Sequence, residues 1–299
     1  MKPLVSVIIP VYNVENYLRQ CLDTVINQTL QEIEIICIND GSTDNSLKIL
    51  EEYAKKDNRI IILSQENKGS GPTLNNGISK STGEFIAIMD SDDYYPSSYV
   101  LEYLYKIAKK TNVLVCGGSA IQLKNDILIT DFNKFDSGYS FRKSGFHEYI
   151  DYQYDYGYWR FIYNREFLLK NNLYFEDYRR YKDPIWFIKT MTLAKYFYAI
   201  KLPVYVYRVE HKEIEWTIKK VRDCICGITD VLNFSNKYNL EKLHYKYATK
   251  RLYDNWLIDN VFSLLPENDE ALLKMLKAVN LDLIHEFDPN YVLPKYEKK

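Results

Sequence analysis

Phe85-Ile86-Ala87-Ile88-Met89 running straight into Asp90-Ser91-Asp92-Asp93 is the stretch on which the fold turns. A continuous apolar run of this length reads as a strand buried on both faces. It delivers a cluster of carboxylates to one edge of a sheet. On extended backbone Asp90 and Asp92 face the same way. Two like charges held together repel unless a cation lies between them. A hard divalent ion carrying a diphosphate suits that place, because Mg and Mn prefer oxygen ligands. The competing reading is a solvated turn in which Ser91 or an Asp caps the next helix.

Outward from this stretch, strand and helix signals alternate. Val5–Ile9 reads as a strand closed by Pro10, and Leu18, Cys21, Leu22 and Val25 follow at helical spacing. Ile33–Ile38 is a second strand with Asn39-Asp40-Gly41-Ser42 as its exit turn. Asp44 or Asn45 can cap a helix over Ser46–Lys56. Arg59–Leu63 is a third strand, followed by a Gly-rich loop over 67–71 and a helix over Pro72–Lys80. Tyr99–Lys110 reads as a helix and Val113–Cys116 as a strand. Apolar strands between helices predict an α/β fold with a mostly parallel sheet flanked by helices. From about 121 the pattern loosens. Tyr152, Tyr154, Tyr156 and Tyr158 alternate as on a strand, either with one aromatic face or as a wall of an acceptor groove. Phe161–Asn171 and Pro184–Lys195 read as helices, and Leu202–Arg208 as a strand. After Trp216 the chain turns helical, with one apolar stripe at Val221, Ile225, Ile228 and Leu232. We place a domain boundary at 215, with a donor half over about 1–120, an acceptor half over about 121–215, and a helical region over 216–299.

The net charge of −1 gives no basic field for nucleic acid. No leader pattern and no stretch of membrane-spanning length is read. The five cysteines, at 21, 37, 116, 224 and 226, are scattered and odd in number, which suits free thiols in a reducing cytoplasm. Tyrosine is the unusual residue, at 28 copies.

In open α/β sheets, ligands sit beyond the carboxyl ends of the strands. Val-Ser-Val-Ile-Ile-Pro-Val-Tyr-Asn (5–13), Ile-Asn-Asp-Gly-Ser-Thr-Asp (38–44) and Met-Asp-Ser-Asp-Asp (89–93) all lie at such ends. Taken together they resemble the family 2 glycosyltransferases of GT-A fold, over about residues 4–212. The resemblance implies transfer of a sugar from a nucleotide-diphosphate donor, typically UDP-linked, with inversion. Pro10, Val11 and Tyr12 would line the base pocket and Asp40 would accept from the base. Asp90, with Ser91 beside it, would lie near the ribose. Asp92 would ligate Mn2+ or Mg2+. Asn67, Gly69 and Asn75 match the donor-side loop, but Leu74 stands where many members carry an arginine. Arg208 would approach the diphosphate and His211 would complete the metal shell.

The resemblance also implies a base for the acceptor hydroxyl just before a helix in the second half. Asp183 is that candidate, with Lys182 where glutamate is common and Glu176 or Asp177 as fallbacks. Trp159, Arg160 and Asp93 are candidates to face the acceptor. Expected partners are a nucleotide sugar and a saccharide or lipid-linked acceptor of cell-surface polysaccharide, capsule or lipo-oligosaccharide synthesis. A homodimer through the C-terminal helices and peripheral attachment at the inner face of the membrane are further expectations. The rival readings are a catalytically impaired carbohydrate-binding protein on the same fold and a sugar nucleotidyltransferase.

Overall fold

The computed structural model describes residues 2–130, 139–209, 215–266 and 268–296. The chain divides into two compact units. Unit 1 holds residues up to Asp151, Tyr156–Phe175 and Thr190–Glu213, and unit 2 holds Tyr152–Asp155, Glu176–Lys189 and Ile214–Lys299.

Unit 1 is built on one sheet. Its strands are β1 (Val5–Val11), β2 (Ile33–Asp40), β3 (Ile60–Gln65), β4 (Phe85–Ile88), β5 (Val115–Lys124), β6 (Ile127–Ile129), β7 (Gly145–Glu148), β8 (Phe161–Asn164) and β9 (Tyr196–Arg208). They lie in the order β3-β2-β1-β4-β8-β5-β9-β7, with β6 paired to β5. The β3-β2-β1-β4 half is parallel throughout. Its strands are crossed by α1 (Glu15–Ile26), α2 (Ser46–Ala54) and α3 (Ser70–Lys80), with α4 (Val100–Thr111) after β4. Every residue of β2 is buried, as a strand covered on both faces must be. The α1 stripe Leu18, Cys21, Leu22 and Val25 is its buried face, as the spacing predicts.

The other half departs from an all-parallel sheet: β8 runs antiparallel to β4 and β5, and β7 antiparallel to β9. The helix expected over Phe161–Asn171 is instead β8 followed by α6 (Arg165–Lys170). The Asn164 side chain caps α6 by accepting from the Phe167 amide. Phe161, Ile162 and Tyr163 are bulky and buried between two strands, a setting that overrides their helical spacing. Nor are the alternating tyrosines a strand. A short helix, α5 (Tyr149–Tyr152), ends there, Gln153 and Gly157 take positive φ, and Tyr158–Arg160 form a 3-10 turn.

Unit 2 is helical. The first part of α7 (Lys182–Ala194) belongs to it, with α8 (Ile218–Lys237), α9 (Glu241–Lys246), a π-turn over Tyr247–Arg251, α10 (Asn255–Asn260), α11 (Glu270–Lys277) and α12 (Leu281–Phe287). The stripe Val221, Ile225, Ile228 and Leu232 is buried along α8.

Candidate active site

Because β2, β1 and β4 are adjacent and parallel, their carboxyl ends open on one edge of the sheet. Parallel register places Val11 beside Asn39 and Ile8 beside Ile88. The exits of β1 and β2 are laced together. Asn13 Oδ1 accepts from the Thr43 amide at 2.8 Å, and the Asn13 amide donates to Ser42 Oγ at 3.2 Å. Asp44 serves two helix starts: its Oδ2 accepts from the Glu15 amide of α1 at 3.0 Å and its Oδ1 from the Ser46 amide of α2 at 2.9 Å. Tyr12 stands exposed at this edge, with Val11 buried below it and Pro10 half-buried.

Asp40 is buried at the end of β2. Its Oδ1 accepts from the Lys68 amide (2.9 Å) and from Gln65 Nε2 (2.8 Å), and its Oδ2 from the Gly69 amide (2.9 Å). A carboxylate accepts in about four directions, so one remains for a further donor. This carboxylate fixes the Gly-rich loop as α3 begins. Gly69 sits at φ +88°, which an L side chain rarely adopts, so glycine is required at that turn. Asn67 is exposed on the same loop. Asn75 clamps a distant backbone: its Nδ2 donates to Phe175 O and its Oδ1 accepts from Phe175 N, both at 2.8 Å.

β4 ends at Ile88, and the Asp93 amide donates back to Asp90 O at 3.0 Å. The acidic segment is therefore a turn, and strand alternation does not govern where Asp90 and Asp92 point. Ser91 and Asp93 are buried, while Asp90 and Asp92 are partly exposed. Asp93 Oδ2 accepts from the Tyr205 hydroxyl (2.9 Å) and Oδ1 from the Arg208 amide (2.7 Å). Burial first, then the charges of Asp92 and Asp90, push its carboxyl well above the usual carboxylate range. The Tyr205 hydroxyl also accepts from the Asp90 amide at 3.1 Å. Arg208 Nε donates to Asp92 O (3.0 Å) and Nη2 to Gln20 (2.7 Å), with the guanidinium 4.8 Å from the Tyr17 ring. The end of β9 is thus sewn to the acidic turn. Trp159 is buried in a stack with Tyr205 (centroids 4.2 Å) and Tyr207 (5.1 Å). Arg160 is buried, its guanidinium over Phe141 and Phe161 and its Nη1 donating to Gly118 O.

Asp93 is turned inward onto Tyr205 and Arg208, which leaves Asp90 and Asp92 as the oxygen donors of the turn. The partly exposed carboxylates of Asp90 and Asp92, oxygen donors at the end of β4, fit a hard divalent cation that would complete its shell with phosphate oxygens and water. Among the described residues no group of three or more His, Cys, Asp or Glu is arranged to hold a metal unaided. His211 lies outside the described residues.

In unit 2, Asp183 lies in the first turn of α7, where the helix end favours negative charge. Lys182 Nζ lies 2.9 Å from Asp183 Oδ1, and the lysine side chain is only 9% exposed. Tyr181, just before, adopts φ +67°, and its carbonyl packs on Gly227 of α8 so closely that an added Cβ would lie 2.6 Å away. The Tyr181 hydroxyl meets that of Tyr247 at 3.2 Å, and Tyr247 donates to buried Asp155 at 2.8 Å. Arg251 lies over the Tyr181 ring at 5.8 Å. Glu176 is ion-paired with Lys189 at 2.6 Å, and Asp177 is exposed.

Residues 6–178 match glycosyl transferase family 2. The chain belongs to that family. It is 31% identical over 257 residues to the glycosyltransferase GlyG of Streptococcus pneumoniae, covering 77% of this chain and 84% of GlyG. It spans 34%, 62% and 14% of the lengths of three other curated glycosyltransferases that it matches. The S. aureus TarS fragment in complex with UDP-GlcNAc superposes with a TM-score of 0.73 at 20% identity, over 95% of this chain and 83% of that one. A mannosyltransferase from Pyrobaculum calidifontis in complex with GDP-Man and Mn2+ gives 0.60 at 17% identity, over 99% and 78%. The family 2 chain has the GT-A fold, a mixed sheet flanked by helices with a helical C-terminal region.

Several residues of structural consequence carried no readable signal. Tyr205 and the main chain of Arg208 hold Asp93, yet they lie more than a hundred positions away. Gln65, which bridges Asp40 and Thr73, reads only as the end of a strand. Gly227 and Tyr247, which fix the turn before Asp183, sit inside ordinary amphipathic spacing.

Proposed function

We propose that the chain transfers a sugar from a nucleotide-diphosphate donor, UDP-linked, to a hydroxyl of a saccharide or glycolipid acceptor, with inversion in a single displacement. The observation that carries this reading is the convergence of Asp40, Asp90 and Asp92 beyond the carboxyl ends of β2 and β4 in a family 2 member. The UDP-GlcNAc complex of TarS, on the same fold, supports the choice of donor.

Asp40, with Pro10, Val11 and Tyr12, reads the base, and Asp90 and Ser91 hold the ribose side. Asp92, with His211, holds Mn2+ or Mg2+, which when bound offsets the charge of the departing diphosphate. The Mn2+ complex of the mannosyltransferase supports that assignment. Arg208 places a permanent cation beside the acidic turn. Asp183 takes the proton of the acceptor hydroxyl as its oxygen bonds to the anomeric carbon and the diphosphate leaves. Lys182 fixes the direction of the Asp183 carboxylate. We place the reaction in cell-surface polysaccharide synthesis, on the cytoplasmic side.

A second reading is a sugar-binding protein without turnover. The Lys182–Asp183 ion pair is the observation that favours it, since the lysine occupies an oxygen of the carboxylate that would have to meet the acceptor hydroxyl. Thermal melts with a panel of nucleotide sugars, with and without Mn2+, followed by transfer assays with the donor that shifts the melt, separate the two. A ligand at a hundred times its Kd adds about 2.7 kcal/mol to the folded state. A metal-dependent shift with transfer supports the enzyme. A shift without transfer to any acceptor supports the binding protein. No shift with any donor contradicts the enzyme and favours a binding protein that does not take the donor.

A further inference from the structure

The outer edge of the unit 1 sheet is apolar where an edge is usually blunted. β7 pairs with β9 so that Phe146 lies opposite Tyr198 and Glu148 opposite Tyr196. Alternation puts Tyr196, Tyr198 and Ile200 on one face of β9. Phe146 meets both tyrosines edge-on, at 6.2 Å and 5.2 Å between centroids. Phe146 is 59% exposed and Tyr196 48%. Ile200 then lines a cavity of about 430 Å³ between α4 and β9, walled by Tyr99, Tyr103, Leu202 and Pro203. Tyr99 is 64% exposed and Leu202 51%. An apolar shelf of this kind, continuing into a groove, marks an interaction surface.

Its charge identifies the partner. Arg142 and Lys143 ahead of β7, Lys195 ahead of β9 and Lys201 within β9 are exposed, against Glu148 and Asp151. The Lys201 amide donates to Ser144 Oγ at 3.0 Å and the Tyr149 amide to Lys195 O at 2.7 Å, which hold these segments side by side. At the groove, Glu102 is neutralised by Lys106 one turn away. A chain of net charge −1 thus carries a locally cationic, aromatic edge. Tyrosines with apolar bodies and polar tips suit the boundary between hydrocarbon and water, and lysines suit anionic headgroups. Two-fold pairing with a second copy would bring the same cations face to face, and β7 is only four residues long. No described helix is long and apolar enough to cross a membrane.

We propose that the β7–β9 edge and the α4 groove dock the chain on a bilayer surface rich in anionic lipid. This deepens the reading of a glycolipid acceptor by naming the surface on which it is met, but its test needs no turnover. The experiment is co-sedimentation of the full chain with phosphatidylcholine vesicles and with vesicles that also contain phosphatidylglycerol, across a salt series. Binding is expected only with phosphatidylglycerol and should fall as salt rises. The pair Lys143→Glu with Lys201→Glu should lower partitioning about tenfold or more. Phe146→Ser with Tyr196→Ser should lower it comparably. Both pairs should leave the nucleotide-sugar melting shift intact. Absence of binding to either vesicle overturns the proposal, as does binding that neither pair weakens. Concentration-dependent dimerisation lost in Phe146→Ser, without vesicle binding, overturns it in favour of a second copy.

Discussion

The acidic edge of unit 1 and the Asp183 turn of unit 2 are held by different means. In unit 1 the carboxylates are tied to main chain: Asp40 to the Lys68 and Gly69 amides, and Asp93 to the Arg208 amide. In unit 2 the turn is propped by side chains from distant helices, through Gly227, Tyr247 and Asp155. Main-chain ties follow from strand register and tolerate changes around them. Side-chain props fail one substitution at a time. The donor edge should therefore be the robust region and the Asp183 turn the fragile one.

The largest effect expected is for Asp183→Asn, which removes the proposed proton acceptor while keeping the shape. Transfer should fall by about two to four decades with donor affinity unchanged, measured by single-turnover assay beside donor titration. Normal transfer would move the base to Glu176 or Asp177. Next is Gly227→Ala, whose Cβ would stand 2.6 Å from the Tyr181 carbonyl and must displace the turn. A misplacement of about 1 Å costs on the order of a hundredfold in rate. We expect that loss in kcat, with the donor melting shift intact. An unaffected kcat would show that the turn is not the element that limits transfer.

A smaller effect is expected for Tyr247→Phe, which removes the hydroxyl between Tyr181 and Asp155. The cost is about 1–3 kcal/mol of stability, since Asp155 is buried, and is read by urea unfolding. Asp155 keeps Lys246 at 3.1 Å, which sets this below the loss of a whole network.

The mildest contrast is in pH response. His244 of unit 2 is buried, and burial lowers its pKa from the ordinary 6.5. Asn280 N–H donates to its Nε2 at 2.9 Å, so the ring's proton sits on Nδ1 toward Leu232 O. Below about pH 6.5 the unfolded chain binds a proton that the folded chain resists, so stability falls as pH falls through that window. Melts of wild type and His244→Gln across that range should show a slope in the first that flattens in the second.

The same contrast explains what could be read ahead of the structure. The β1, β2 and β4 ends were legible because fully buried parallel strands are written as unbroken apolar runs, and their exit residues follow directly. The place of Asp183 at the start of an apolar helix was legible in the sequence, while its role as base came only with the resemblance. Phe161–Tyr163 was misread because a short buried strand between two others shares its composition with a helix face. The aromatic alternation of Tyr152–Tyr158 was misread because Gln153 and Gly157 reverse φ, which no periodicity records. Tyr205, Gly227 and Tyr247 act across long sequence separations, and nothing local to them announces a partner.

The central claim is that the acidic edge of unit 1 holds a metal-bound nucleotide sugar. Donor titration by calorimetry with Mn2+ and with chelator, on wild type and Asp92→Ala, tests it most directly. The account predicts binding that requires Mn2+ in the wild type and is lost in Asp92→Ala, while the variant still unfolds cooperatively. Equal, metal-dependent binding by Asp92→Ala would contradict it.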